Sequence, residues 1–249
     1  MTPNPATTIS ILGIPFFNGQ VNDVYEYLNQ YGGLLTVPAA PALVNISNDS
    51  EYYKSIVNSD IIIPDSGLMV IMWNLFNSNR LSKISGLEFI NFFLKKLTFA
   101  GHVRLMLVNP SDSEGSINLN YLKQVGINTT LIGSYTAPYY KKNVFDPQLV
   151  SKIEEFKPQW IMLNIGGGTQ EKLGYYLKNS LSYKPAILCT GAAIAFKTGS
   201  QASIPQWADY IYLGWLFRCL HQPKLYIPRY IRGFRLIYLI LKFKSKRII

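Results

Sequence analysis

Three short segments group residues whose chemistry goes beyond packing. In Ile61-Ile-Ile-Pro-Asp65-Ser-Gly67 an apolar run ends on a carboxylate. Pro64 stops a strand ladder and Gly67 permits a tight turn, which fixes Asp65 at the mouth of a sheet. A carboxylate held there can take a proton from an attacking hydroxyl; Asp is equally a good N-cap for a helix over Leu68–Phe76. In Ile161-Met-Leu-Asn-Ile-Gly166-Gly167-Gly168-Thr-Gln170-Glu171 three glycines separate a strand from a helix. They allow close approach of a ligand, and the free N–H groups of a helix start favour an anion such as phosphate. The spacing is neither GxGxxG nor a Walker loop, so it does not specify a dinucleotide. A tight turn with Gln170 and Glu171 as exposed first-turn residues fits as well. The third segment, Cys189-Thr-Gly191-Ala-Ala193 followed by Lys197-Thr-Gly199, has small residues that leave room beside a strand end or permit close helix packing.

Other candidates carry less. Asp112 and Glu114 resemble a short acidic metal motif, but their place ahead of a helix favours capping. Lys141 and Lys142 lie in an aromatic loop with Tyr135, Tyr139 and Tyr140, where solvation accounts for them. His102, His221, Cys189 and Cys219 form no recognisable catalytic or zinc set. No bound metal or other cofactor is expected.

Apolar runs positioned to hold these loops are Thr8–Ile14, Leu34–Val37, Asp60–Ile63, Val103–Val108, Thr129–Ile132, Trp160–Ile165 and Ala186–Thr190. Between them Val21–Tyr31, Ser50–Asn58, Leu68–Phe76, Leu87–Leu97, Ser116–Val125, Gln148–Phe156 and Gln170–Ser180 read as helices. This alternation predicts an α/β fold: a Rossmann-like, mostly parallel sheet with helices on both faces. Ligands of such sheets sit beyond the carboxyl ends of the strands. Residues 1–200 read as one catalytic-type core and 201–249 as a helical, basic C-terminal appendage.

Of 249 residues 48% are hydrophobic and only 15% charged, which excludes a disordered chain. No apolar run reaches the ~18–20 residues of a spanning helix, and the N-terminus lacks the pattern of a signal peptide. A cytoplasmic protein is expected. Nine of the 24 basic residues fall in the last 32 positions, and no acid follows Asp209. A helix over Ile231–Lys246 would gather Arg232, Arg235, Lys242 and Lys246 on one side, among Phe234, Leu236, Ile237, Tyr238, Leu239, Ile240, Leu241 and Phe243. Three readings suit such a tail: an anionic membrane surface, a cover for its own domain or a homo-oligomer, and nucleic acid. The apolar content favours the membrane and disfavours nucleic acid.

Taken in order, these segments resemble the WecG/TagA/CpsF family of bacterial glycosyltransferases. The resemblance is carried by Leu35-Thr36-Val37-Pro38, Pro64-Asp65-Ser66-Gly67, Lys83-Ile-Ser85-Gly86 and Gly166-Gly-Gly-Thr-Gln170-Glu171. Thr190-Gly191-Ala-Ala, Ser203-Ile-Pro205-Gln-Trp207, Gly214-Trp215-Leu-Phe-Arg218 and Gln222-Pro223-Lys224 through Arg229-Tyr230 extend it to about residue 235. It implies inverting transfer of a sugar, of the N-acetylmannosamine type or another hexose, from a UDP-sugar donor to an undecaprenyl-diphosphate-linked acceptor. Such transfer belongs to cell-envelope or exopolysaccharide synthesis. By position, Asp65 matches the family's proposed general base and Thr36 its active-site Thr. Gln170 matches its donor-site Gln, while Arg218, Lys224 and Arg229 match basic groups near the diphosphate and membrane. Lys83, Ser85, Glu171 and Gly191 fall within the motifs. Departures stand at Pro38, Ser66, Ser203, Gly214 and Ala195, where the family has polar or small residues of other kinds. They imply a different sugar or, as the alternative, an inactive relative that acts as a nucleotide-sugar-binding scaffold.

Overall fold

A computed structural model describes residues 8–141, 143–191, 193–199, 214–221 and 223–247. The chain opens on an antiparallel hairpin of β1 (Thr8–Ile11) and β2 (Ile14–Phe17). The single strand expected over Thr8–Ile14 is therefore two. Leu12 and Gly13 both take positive φ, 56° and 76°, the combination a two-residue hairpin turn needs. Ile11, Ile14 and Phe16 are buried beneath it.

The rest alternates as the spacing predicts. It runs α1 (Val21–Tyr31), β3 (Gly33–Thr36), α2 (Ala40–Val44), α3 (Ser50–Val57), β4 (Ile61–Ile62), α4 (Gly67–Phe76), α5 (Gly86–Phe99), β5 (Leu105–Asn109), α6 (Asp112–Gln124) and β6 (Ile132–Thr136). There follow α7 (Pro147–Phe156), β7 (Trp160–Leu163), α8 (Thr169–Ser180), β8 (Ala186–Cys189), α9 (Ala193–Thr198), and in the tail α10 (Gly214–His221), α11 (Pro223–Gly233) and α12 (Arg235–Phe243). Local chemistry moved several boundaries. The Thr129–Ile132 run is a 3-10 turn, because the Asn128 side chain accepts the Thr130 N–H at 3.1 Å; the strand begins only at Ile132. Helix α6 starts at Asp112 rather than Ser116, since the Ser111 hydroxyl caps it by accepting the Glu114 N–H at 3.2 Å. Asp112 and Glu114 are thus first-turn residues, as capping requires.

Six strands form one sheet in the order β4-β3-β8-β7-β5-β6, every pair parallel. Alternate residues serve opposite faces. Leu35, Ile61, Leu105, Leu107, Trp160, Met162 and Leu188 share a core with α1, α5, α6 and α9. There Trp160 stacks on Tyr25 at 5.5 Å and meets Phe93 at 4.7 Å. Leu34, Met106, Val108, Ile161, Leu163 and Ile187 pack against α7 and α8. Each fully buried aliphatic of this kind stabilises by roughly 1.5–3 kcal/mol. A third cluster joins the hairpin, α2, α3, α4 and α12 around Ile62.

Helix α6 leaves β5 on one face toward the outer strand β6, whereas α8 leaves β7 on the other face toward β8. The chain therefore diverges between β5 and β7 and opens a crevice at their carboxyl ends. A second divergence lies between β3, which leads to α2 and α3, and β8, which leads to α9 on the opposite face.

Candidate active site

The loops that follow the strand ends meet along these two crevices. Asp65 comes first. After β4 the Ile63 N–H donates to the Thr36 carbonyl at 3.1 Å, and the Asp65 N–H closes a tight turn on Ile63 at 3.1 Å. Asp65 does not cap α4; Ser66 does, its hydroxyl accepting the Met69 N–H at 3.2 Å. The half-buried Asp65 carboxylate instead accepts the N–H of Gly86, the first residue of α5, on Oδ1 at 3.0 Å. Its Oδ2 makes no hydrogen bond among the described residues. A Cβ on Gly86 would lie 3.1 Å from the Thr190 carbonyl oxygen and 3.4 Å from Val37 Cγ1. Asp65, the start of α5 and the ends of β3 and β8 are therefore in close contact.

Ser85 is buried and committed to that arrangement. Its hydroxyl accepts the Glu88 N–H at 3.0 Å, so it shapes the α5 terminus that grips Asp65. Lys83 lies half-buried two residues earlier. Thr36 is fully buried beside Cys189 in the sheet register, and its hydroxyl donates to Ser59 Oγ at 3.0 Å.

The glycine loop is open on one side. At Gly166, Gly167 and Gly168 an added Cβ would meet nothing within 4 Å, and Gly168 takes a φ of 91°. Below it Gln170 and Glu171 are 1% and 2% exposed, so the reading of both as exposed first-turn residues is corrected. Glu171 accepts the Gly168 N–H at 2.6 Å and the Gln170 Nε2–H at 3.0 Å, while Gln170 Oε1 accepts the Gly191 N–H at 3.0 Å. This chain of bonds ties the glycine loop to the end of β8. Burial pushes the Glu171 carboxyl above the usual range, against the hydrogen bonds that favour its charged form. Gln170 thus acts on the site by holding it together. The Cys189 thiol, pushed up by burial, lies 3.3 Å from the Gln170 carbonyl oxygen and packs against α8.

At the β5–β7 crevice stands a cluster the sequence reading overlooked. Asn109, fully buried at the end of β5, accepts on Oδ1 from Asn118 Nδ2 at 2.8 Å and from Asn164 Nδ2 at 3.0 Å. The Oδ1 atoms of Asn118 and Asn164 are buried with no partner among the described residues. An orphaned buried acceptor costs about 1–3 kcal/mol, and a ligand N–H would relieve it. The available signal was an Asn at the ends of two neighbouring strands, in Val108-Asn109-Pro110 and Leu163-Asn164-Ile165.

The aromatic loop is structural. Tyr135 and Tyr140 donate to Asp146 Oδ2 at 3.0 and 2.6 Å, and Asp146 caps α7. Burial, with Asp146 beside it, pushes the Tyr135 hydroxyl up to about 12. Lys141 is exposed, and Lys142 lies outside the described residues.

The tail differs from its expectation. The helix over Ile231–Lys246 is broken at Phe234 after Gly233, leaving Arg232 at the end of α11, Arg235 at the start of α12 and Lys246 beyond it. Leu236, Leu239 and Ile240 are buried against the hairpin and α4, so this part of the apolar tail covers its own fold. Arg232, Arg235, Lys242 and Lys246 are exposed. The Leu12 N–H donates to the Lys244 carbonyl at 2.7 Å and fastens the chain end to the hairpin. Helix α11 packs on α2, and α12 on α2 and α4, the helices that follow the Thr36 and Asp65 strand ends. Lys224 is exposed on α11; Ser203 and the side chains of Arg218 and Arg229 lie outside the described residues. Among the described residues no helix is long and apolar enough to cross a membrane.

A parallel α/β sheet with an open glycine cradle and an anchored carboxylate at its carboxyl edge is the architecture in which ligands bind across strand ends. The chain belongs to the glycosyl transferase WecG/TagA/CpsF family, whose model matches residues 9–248, and it is a glycosyltransferase. It is similar to the N-acetylglucosaminyldiphosphoundecaprenol N-acetyl-beta-D-mannosaminyltransferase of Staphylococcus aureus (strain MRSA252), 22% identical over 85% of this chain and 84% of the relative. The enzyme of the same name from Bacillus subtilis (strain 168) is 24% identical over 90% of this chain and 89% of its own.

Proposed function

We propose that this glycosyltransferase moves a sugar of the N-acetylmannosamine type, or another hexose, from a UDP-sugar to an undecaprenyl-diphosphate-linked acceptor with inversion, at the inner face of the cell membrane. The names of the two relatives support the acceptor and the sugar class. The observation that carries the reading is the Asp65 carboxylate, anchored through Oδ1 by the Gly86 N–H and open at Oδ2.

An acceptor hydroxyl beside Oδ2 loses its proton to Asp65 as its oxygen attacks the anomeric carbon from the face opposite the UDP. The anomeric carbon–oxygen bond to the diphosphate breaks, and its electron pair leaves on the phosphate oxygen. The open glycine loop at the start of α8 supplies N–H groups for that developing charge. Gln170 and Glu171 keep this loop in register with Gly191. The unpaired amide oxygens of Asn118 and Asn164 are acceptors for a ligand N–H, and a uracil base offers one, at N3. Arg218, Lys224 and Arg229 are assigned to the acceptor diphosphate, and the transfer is taken to proceed without a metal. The experiment is incubation of the full chain with a panel of UDP-sugars and a short-chain lipid-diphosphate-linked sugar. UDP release with a heavier lipid product names the donor, and no product with any donor refutes the reading.

A further inference from the structure

Helix α4 carries no charged residue over its ten positions, yet three large apolar side chains on it face solvent. Ile71 is 45% exposed, Leu75 67% and Phe76 54%. Met69, Val70 and Trp73 fill the core on its other side, so apart from Asn74, whose amide bonds Leu81, the helix is apolar all round. Single exposed apolar residues are ordinary; here they adjoin a matching surface. Helix α12 packs on α4, turns Leu236, Leu239 and Ile240 inward, and leaves Tyr238 and Leu241 exposed among the cations Arg235 and Lys242. The Lys242 ammonium stands 5.5 Å from the Tyr238 ring. Arg80, beyond the other end of α4, is also exposed. No acidic residue occurs from Ser66 to Leu87 or beyond Asp209.

Charge complementarity selects the occupant of this face. A second copy meeting it about a two-fold axis would bring the two sets of Arg80, Arg235 and Lys242 charges together, and neither the Ser66–Leu87 segment nor the tail holds an acid to pair them. An anionic leaflet satisfies both halves at once: apolar side chains enter the acyl boundary while the cations meet lipid phosphates. We propose that α4 and α12 together form the footing of this protein on an anionic lipid surface, with Ile71, Leu75 and Phe76 as the apolar contact. The footing rests on the transferase reading for its purpose. Helix α4 begins two residues after Asp65 and, at about 1.5 Å per residue, is about 15 Å long. Asp65 and the proposed footing therefore lie on consecutive stretches of chain.

The test is flotation of the full chain with vesicles of mixed phosphatidylcholine and phosphatidylglycerol, and with phosphatidylcholine alone. Wild-type protein should float with the anionic vesicles. The double variant Ile71→Glu, Leu75→Glu should partition at least about tenfold less, having lost two apolar contacts and gained two charges the leaflet repels. Its turnover on a short-chain, water-soluble acceptor should match wild type. Leu75→Ser, which adds no charge, should weaken partition severalfold and serves if the double variant does not fold. Unchanged partition in these variants overturns the proposal, as does a wild-type chain that binds neither vesicle. Loss of a self-associated mass in sedimentation without loss of vesicle binding also overturns it and makes the face a contact between copies. Wild-type protein inactive on the soluble acceptor would refute the transferase reading while leaving the partition result intact, so the two failures are distinguishable.

Discussion

Replacing Gln170 with Ala removes a buried side chain that joins the glycine loop to the end of β8. Two hydrogen bonds are lost, one to Glu171 Oε1 at 3.0 Å and one from the Gly191 N–H at 3.0 Å. Glu171 is buried, so its oxygen loses a partner that water cannot replace, at a cost of about 1–3 kcal/mol. Gly191 is half-exposed, and its N–H can turn to solvent at a cost near the lower end of that range. Partial collapse of the space left behind adds a smaller amount. The sum is about 2–4 kcal/mol, which in a chain of this size lowers Tm by roughly 5–15 °C. Thermal unfolding followed by circular dichroism measures it. Turnover should fall as well, since the loop is no longer held in register. Gln170→Glu separates the bond from the space: Oε1 still accepts from Gly191, but two acceptors now face each other unless one carries a proton. Its stability deficit should therefore be largest at neutral pH and shrink as the pH falls through the carboxylate range. A melting temperature within about 2 °C of wild type for Gln170→Ala would refute the role assigned to this bridge.

Other expectations concern the scaffold. Burial alone would raise the Asp60 carboxyl, but the Leu34 N–H at 2.8 Å, Lys178 at 2.8 Å and Lys184 at 3.0 Å outweigh it and hold it below the usual range. A lowered folded-state pKa contributes stability that is present above the unfolded carboxylate range and is lost as the pH falls through the folded value. Asp60→Asn should thus cost about 1–3 kcal/mol at pH 7 and close to nothing in strong acid, as read from urea midpoints across pH; an equal deficit at all pH values would contradict it. Gly174→Ala places a Cβ 2.7 Å from Leu34 Cδ1 and 2.8 Å from Cys189 Sγ. Overpacking of about 1–3 kcal/mol should exceed the ~1 kcal/mol gain in helix propensity, with partial rescue by Cys189→Ala; a stabilised single variant would refute it.

Much of the framework was legible because it rests on local pattern. The period of α1, with Val24, Tyr25 and Leu28 inward, marks its bounds, and fully buried strands such as Trp160–Leu163 read as short apolar runs. The carboxylate at the end of β4 follows from Pro64 and Gly67. What stayed hidden depends on distant partners. Gly13 is a turn residue, but Leu12 itself gives no sign of one, since its positive φ is imposed by the hairpin and by Lys244 across the fold. Polar Gln170 and Glu171 look like surface residues until Gly191 and Gly168 turn out to be their partners. Asp65 looks like a helix cap until the Gly86 amide, 21 positions on, claims it. The tail misled in the same way: half of its apolar side is spent on the hairpin and α4. Truncation near residue 222 would therefore strip the core of Leu236, Leu239 and Ile240, and surface substitutions probe the membrane contact more cleanly.

The central claim is that Asp65 is the base. Its most direct measurement is the rate of UDP release and lipid-product formation by Asp65→Asn beside wild type, using the donor identified by the panel. Asn keeps an oxygen for the Gly86 N–H, so the fold and Tm should hold and KM should change little. Loss of a general base lowers kcat by about 10²–10⁴-fold, the result the account predicts. Turnover within about threefold of wild type would contradict it.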